Sequence, residues 1–118
     1  KPNWARGHAD LGLTVTTDGQ DWLGRPADTV VTTIYHNGPV LAVKAGATET
    51  LVPLAVYKDE VTKKGAKEGL MAGTPAIAAA RYGSGWAIGV SPHPEQTDGA
   101  KDLVPAAVRW ALKQPAAK

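Results

Sequence analysis

Between Pro75 and Glu95 the chain combines small apolar residues, turn glycines and paired prolines so closely that few conformations remain open to it. Ala76 to Ala80 and Trp86 to Val90 are two short apolar runs, and Gly83-Ser84-Gly85 between them permits a tight turn, so the spacing predicts a β-hairpin. The Trp86–Val90 run has the composition of a central strand. Pro92 and Pro94 have no N–H to give a ladder, which predicts that pairing stops near Ser91. His93 and Glu95 are then held on a stiffened loop just beyond the carboxyl end of a strand, the place where open α/β sheets gather ligands and catalytic groups.

Ahead of this tract, Leu11, Leu13 and Val15 alternate with Gly12, Thr14 and Thr16, the period of a half-buried strand. Thr17 to Gln20 reads as a turn, and Asp21 to Asp28 as a loop that packs Trp22. Thr29 to Tyr35 is rich in β-branched residues and predicts a second strand, ended by the turn signal Asn37-Gly38. Val40 to Val43 fits a brief strand or a helical turn. Thr50 to Tyr57 predicts a third strand, with Pro53 demanding an edge or a bulge. Lys58 to Gly73 is charged and punctuated by glycine, a solvated loop. One helix is expected, from Asp98 to Leu112, with Leu103, Val104, Ala107, Val108, Ala111 and Leu112 on one face and Thr97 or Asp98 as N-cap. Pro105 would break a helix interior, so the regular part is placed from Leu103. Residues 1–10 and 113–118 are expected as irregular tails of a single domain spanning 1–118.

Five strands and one helix do not make a complete doubly wound domain, which alternates the two. The chain is then either a small α+β fold or the distal part of an α/β domain. Net charge is only +2, from 13 basic and 11 acidic residues, without the dense basic face that nucleic acid requires. No apolar run approaches the ~18 residues of a membrane helix. With no cysteine, the chain supplies no disulfide, thiolate ligand or sulfur nucleophile of its own, whatever its compartment.

Three stretches resemble the distal half of class I glutamine amidotransferase-like domains, of the type called biotin-protein-ligase N-terminal-like. Ile34-Tyr-His-Asn-Gly-Pro39 is similar to that family's Tyr-x-Asn-Gly-Gly-Pro loop with one glycine absent, and Leu54-Ala-Val-Tyr57 with Asp59 is similar to its Leu-Ala-x-Tyr segment. The third is Pro75-Ala-Ile-Ala through Tyr82-Gly-Ser-Gly-Trp86 and Ser91-Pro-His-Pro-Glu95, closing with Val108-Arg-Trp-Ala111. The resemblance covers about residues 34–112 and implies an α/β, flavodoxin-like three-layer fold, strand-rich here with one C-terminal helix.

It also implies a Cys-His-Glu triad acting on an amide of a small molecule or peptide. His93 would move protons and Glu95 would orient its ring, while His36, Asn37 and Gly38 would line the substrate pocket. The cysteine, carried in the family on a Gly-x-Cys-x-Gly strand-to-helix turn, has no counterpart in this chain. The chain opens on Lys1 and not on Met, and the expectation is a heterodimer in which a separate N-terminal half brings the sulfur. No metal or cofactor is implied. The alternative is a non-catalytic binding or scaffold module of the same fold.

Blander readings stand beside these. His36 and Asn37 are ordinary turn formers. A metal site of His8, His36 and His93 would need three distant segments to converge. Gly83-Ser84-Gly85 precedes a strand and lacks the spacing of a phosphate loop. Ser84 and Ser91 do not sit in a Gly-x-Ser-x-Gly elbow, which leaves a serine hydrolase the weakest reading.

Overall fold

The computed structural model describes residues 8–36, 41, 51–59 and 71–114. In chain order it contains β1 (His8–Val15), α1 (Gly19–Leu23), β2 (Val30–His36), β3 (Leu51–Tyr57), β4 (Pro75–Tyr82), β5 (Gly85–Val90), a 3₁₀ turn (Pro94–Gln96) and α2 (Leu103–Lys113). The strands form one sheet in the order β2-β1-β3-β4-β5, and every neighbouring pair runs antiparallel. The protein is thus a mixed α/β, strand-rich fold with one long C-terminal helix. Among the described residues no helix is long and apolar enough to cross a membrane.

Alternation decides which way the sheet faces. Leu11, Leu13 and Val15 are 4%, 0% and 1% exposed, while Asp10 lies in solvent. Register carries that face onward: Leu13 lies opposite Tyr57, Ala55 opposite Ile77, and Ala79 opposite Ile88. Trp22 and Leu23 of α1 and Leu103 and Ala107 of α2 complete the core on this side. Trp22 meets Trp86 edge to face, with ring centroids 5.0 Å apart, and the Arg81 guanidinium lies 4.2 Å from the centre of the Trp86 ring.

Several expectations are corrected. Residues 8–10 are not tail but the start of β1, because His8, Ala9 and Asp10 pair with His36, Tyr35 and Ile34. The Trp86–Val90 run is not a central strand: β5 lies at the end of the sheet, with Trp86, Ile88 and Val90 only partly buried against the core. Pro53, which calls for an edge or a bulge, takes the bulge: it sits in the middle strand, with the ladder shifting register between Pro53 and Ala55. The Asp21–Asp28 loop begins inside a helix, α1, whose five residues are too few to show a period. Gly24 ends it in the left-handed region, at φ 68°.

In α2 the regular turns start at Leu103, so Pro105 falls in the first turn, where no intrahelical N–H is needed. Neither Thr97 nor Asp98 is the N-cap; Asp102 occupies that position. Its carboxylate instead takes a fork of bonds from Arg25, Nη1 to Oδ2 at 2.7 Å and Nη2 to Oδ1 at 2.9 Å, and Nη2 also reaches the Gly99 carbonyl. The apolar face of α2 is only partly used, since Val108 is 45% and Leu112 is 81% exposed. Val40, Val43 and most of the Lys58–Gly73 loop lie outside the described residues.

Candidate functional site

After β5 the chain makes one more ladder contact, Ser91 N–H to the Ala76 carbonyl, and then turns away. Pro92 and Pro94 do more than end the strand, for both are fully buried. They anchor a turn whose intervening residue, His93, forms an isolated antiparallel bridge with Ile34 of β2. The His93 N–H donates to the Ile34 carbonyl at 2.7 Å. β2 and β5 occupy opposite ends of the strand order, so the sheet curls until the chain leaving one end reaches the other. Twist of about 20–25° per strand pair supplies that curvature.

The second half of the rung is closed by a side chain. Ile34 N–H donates to Thr97 Oγ1 at 2.9 Å, and Thr97 Oγ1 donates to the His93 carbonyl at 2.9 Å. Between the two anchors Pro94–Gln96 form the 3₁₀ turn, with Pro94 in its first turn. That tight turn brings Glu95 back over its neighbour, and His93 Nδ1 lies 3.2 Å from Glu95 Oε2. The side chains are 37% and 55% exposed, so the pair stands at the rim of the sheet in contact with water. A carboxylate on Nδ1 selects the tautomer protonated there and leaves Nε2 as the nitrogen able to accept a proton. Such a pair can orient and polarise an imidazole; bond-breaking chemistry also needs a nucleophile.

Of the other expected site residues, His36 is the exposed last residue of β2, while Asn37 and Gly38 lie outside the described residues. His36 pairs with His8 across the β1–β2 ladder, and Ile34, two residues before it, faces both Asp10 and His93. The three histidine positions, far apart in sequence, therefore come to one corner of the sheet. Convergence judged improbable from the sequence follows from register. Among the described residues, however, no three His, Asp or Glu side chains form a set able to hold a metal ion.

Beneath the turn lies a polar contact that the sequence did not single out. Tyr57 Oη donates to Ser91 Oγ at 2.7 Å in the interior, and the Tyr35 ring meets Tyr57 edge to face at 6.0 Å. Burial pushes the Tyr57 phenol up to about 12, partly opposed by its bond to Ser91. Ser91 is 3% exposed and engaged with Tyr57, which removes it as a surface nucleophile. Ser84 lies on the β4–β5 turn, off the opposite end of β5 from His93.

A concavity among the described residues lies elsewhere. A groove of about 380 Å³ runs between β5 and α2, lined by Trp86, Ile88, Val108, Ala111 and Leu112 among others, with neither His93 nor Glu95 in its wall. Its lining is mainly apolar, with Ser84 and Gln114 at its wall and no titratable group to activate that serine, so the geometry at His93 marks the better candidate site. Comparison with protein-family models, curated proteins and solved structures finds no match for this chain.

Proposed function

We propose that this chain is the distal half of an amidotransferase-like, flavodoxin-like hydrolase domain. It would contribute the His-Glu part of a Cys-His-Glu triad to a cysteine carried by a separate N-terminal half. The observation that supports this reading is the His93–Glu95 contact on a turn pinned at both ends, by buried prolines and by the bridge to Ile34. In the proposed reaction His93 Nε2 takes the proton of the incoming thiol as sulfur attacks an amide carbonyl. The same nitrogen then returns the proton to the departing amine, and a water activated in the same way releases the acyl group. Glu95 holds the ring and stabilises the imidazolium. His36, at the end of β2, would flank the substrate together with Asn37 and Gly38.

The competing reading is a binding module of the same architecture that performs no chemistry, favoured by the absence of cysteine from the chain. The two separate when the native protein is isolated without a tag, its intact mass and N-terminal sequences are read, and amide hydrolysis is assayed. The catalytic reading expects a second polypeptide with a Gly-x-Cys-x-Gly element, and activity abolished by iodoacetamide and by His93→Ala. Hydrolysis that survives both treatments, or a solitary chain with no thiol partner, overturns it.

A further inference from the structure

The ring of bonds around His93 assigns a role to a residue outside the dyad. In an uninterrupted antiparallel ladder the Ile34 N–H would donate straight to the His93 carbonyl. Here the Thr97 hydroxyl stands between them, accepting from one at 2.9 Å and donating to the other at 2.9 Å, while His93 N–H returns to Ile34 O at 2.7 Å. A hydroxyl has one proton to give and lone pairs to receive, which is what this relay requires; an aliphatic side chain could do neither. The hydroxyl is not needed by α2, whose regular turns begin at Leu103.

We propose that Thr97 is the positioning residue of the site. By closing this three-bond ring it fixes the backbone of His93, and so keeps Nδ1 on Glu95 with Nε2 left for proton transfer. The charged and titratable neighbours of the ring are Glu95 on the turn, His36 on β2 and Asp10 opposite Ile34 on β1. Glu95 is in contact with His93 Nδ1, at 3.2 Å. The inference rests on the catalytic reading of His93, but its test needs neither substrate nor partner, so the two can fail separately.

The test is long-range proton–nitrogen NMR of the His93 imidazole in the full chain, in the wild type, Thr97→Val, Thr97→Ser and Glu95→Gln. The wild type is expected to show the tautomer protonated at Nδ1. Thr97→Val, nearly the same shape without the hydroxyl, should move to the tautomer balance of Glu95→Gln, and Thr97→Ser should keep that of the wild type. Amide exchange at Ile34 should quicken roughly tenfold or more in the valine variant and stay slow in the serine variant. A folded valine variant with the wild-type tautomer overturns the proposal. Should the valine variant not fold, the serine variant decides alone: wild-type tautomer and slow Ile34 exchange uphold the relay, and loss of either overturns it.

Discussion

Replacing Gly19 by alanine sets two physical effects against each other. Gly19 opens α1, and helix propensity alone makes alanine the better residue by about 1 kcal/mol. Packing argues the reverse. A Cβ on Gly19 would lie 1.8 Å from the Leu54 carbonyl oxygen, 2.6 Å from its carbon and 2.8 Å from its Cα. All three are backbone atoms of the middle strand, so no side-chain rotation relieves the overlap, and α1 must retreat from β3 by more than about 1 Å to restore ordinary contact.

That retreat opens a small network. Gly19 N–H donates to Thr16 Oγ1 at 2.9 Å, and the same hydroxyl lies 2.7 Å and 3.1 Å from the carbonyl oxygens of Pro53 and Leu54. It also loosens Trp22 and Leu23, which are 7% and 0% exposed. Overpacking of this kind costs about 1–3 kcal/mol, and a strained, partly buried hydrogen bond about 1 more, so the net expectation is a loss of roughly 1–3 kcal/mol after the propensity gain. For a domain stabilised by about 5–15 kcal/mol that is a large share. Urea unfolding followed by tryptophan fluorescence measures it, with the midpoint falling by about 0.7–2 M at an unchanged slope of roughly 1.5 kcal/mol per M. Gly24→Ala is the control, since its φ of 68° carries backbone strain with nothing within 4 Å to strike, and only about 1 kcal/mol should be lost. A Gly19→Ala midpoint equal to or above the wild type would refute the steric argument.

Thr33 is fully buried, and its hydroxyl has no partner among the described residues, so Thr33→Val should raise stability by about 1 kcal/mol in the same urea assay. Tyr57 is buried neutral with its phenol raised from 10.0 to about 12, so its contribution is complete below pH 10 and is lost as pH climbs from there towards about 12. Alkaline unfolding curves read alongside tyrosinate absorbance should show that loss, and Tyr57→Phe should remove it. Asp102 is held below its ordinary value of 3.8 by the hydrogen bond from Arg25, so the ion pair stabilises fully above that value and fades as pH falls through the lowered one. Both side chains are partly solvated, so Arg25→Met should cost less than about 1 kcal/mol near neutral pH, and little once the carboxylate is protonated.

What could be seen from the sequence was whatever short-range chemistry dictates. Alternation in Leu11–Val15, β-branching in Thr29–Tyr35 and the glycines at 83 and 85 mark strands whose observed limits differ by a few residues at most. The first-turn placement of Pro105 was legible for the same reason: proline constrains its own φ and N–H wherever it stands. Rank within the sheet was not legible. Trp86–Val90 looks central because it is apolar, yet a helix can cover an apolar strand as well as another strand can. Pro53 calls for an edge or a bulge without choosing between them, and it is the bulge that absorbs the interruption, in the middle of the sheet. α1 escaped notice because five residues cannot display a 3.6-residue period.

The candidate site divides along the same line. Pro-His-Pro-x is local information, and it yields a stiff turn with Glu95 over His93. Where that turn is fastened is not local: Ile34 and Thr97 stand 63 residues apart, and their bond exists only because the sheet curls far enough to bring its two ends together. Ladder register sets His8 beside His36, and the same curvature brings His93 to that corner, although nothing in their spacing connects the three. It follows that substitutions which flatten the sheet, such as repair of the bulge at Pro53, should disturb the dyad from a distance. Substitutions on the exposed flank of α2, at Val108 or Leu112, should leave it intact. The imidazole tautomer of His93, read by NMR in both sets, tests that separation: a wild-type tautomer after the bulge is repaired and the sheet has flattened would mean that the prolines alone hold the histidine, and that its bridge to β2 is incidental.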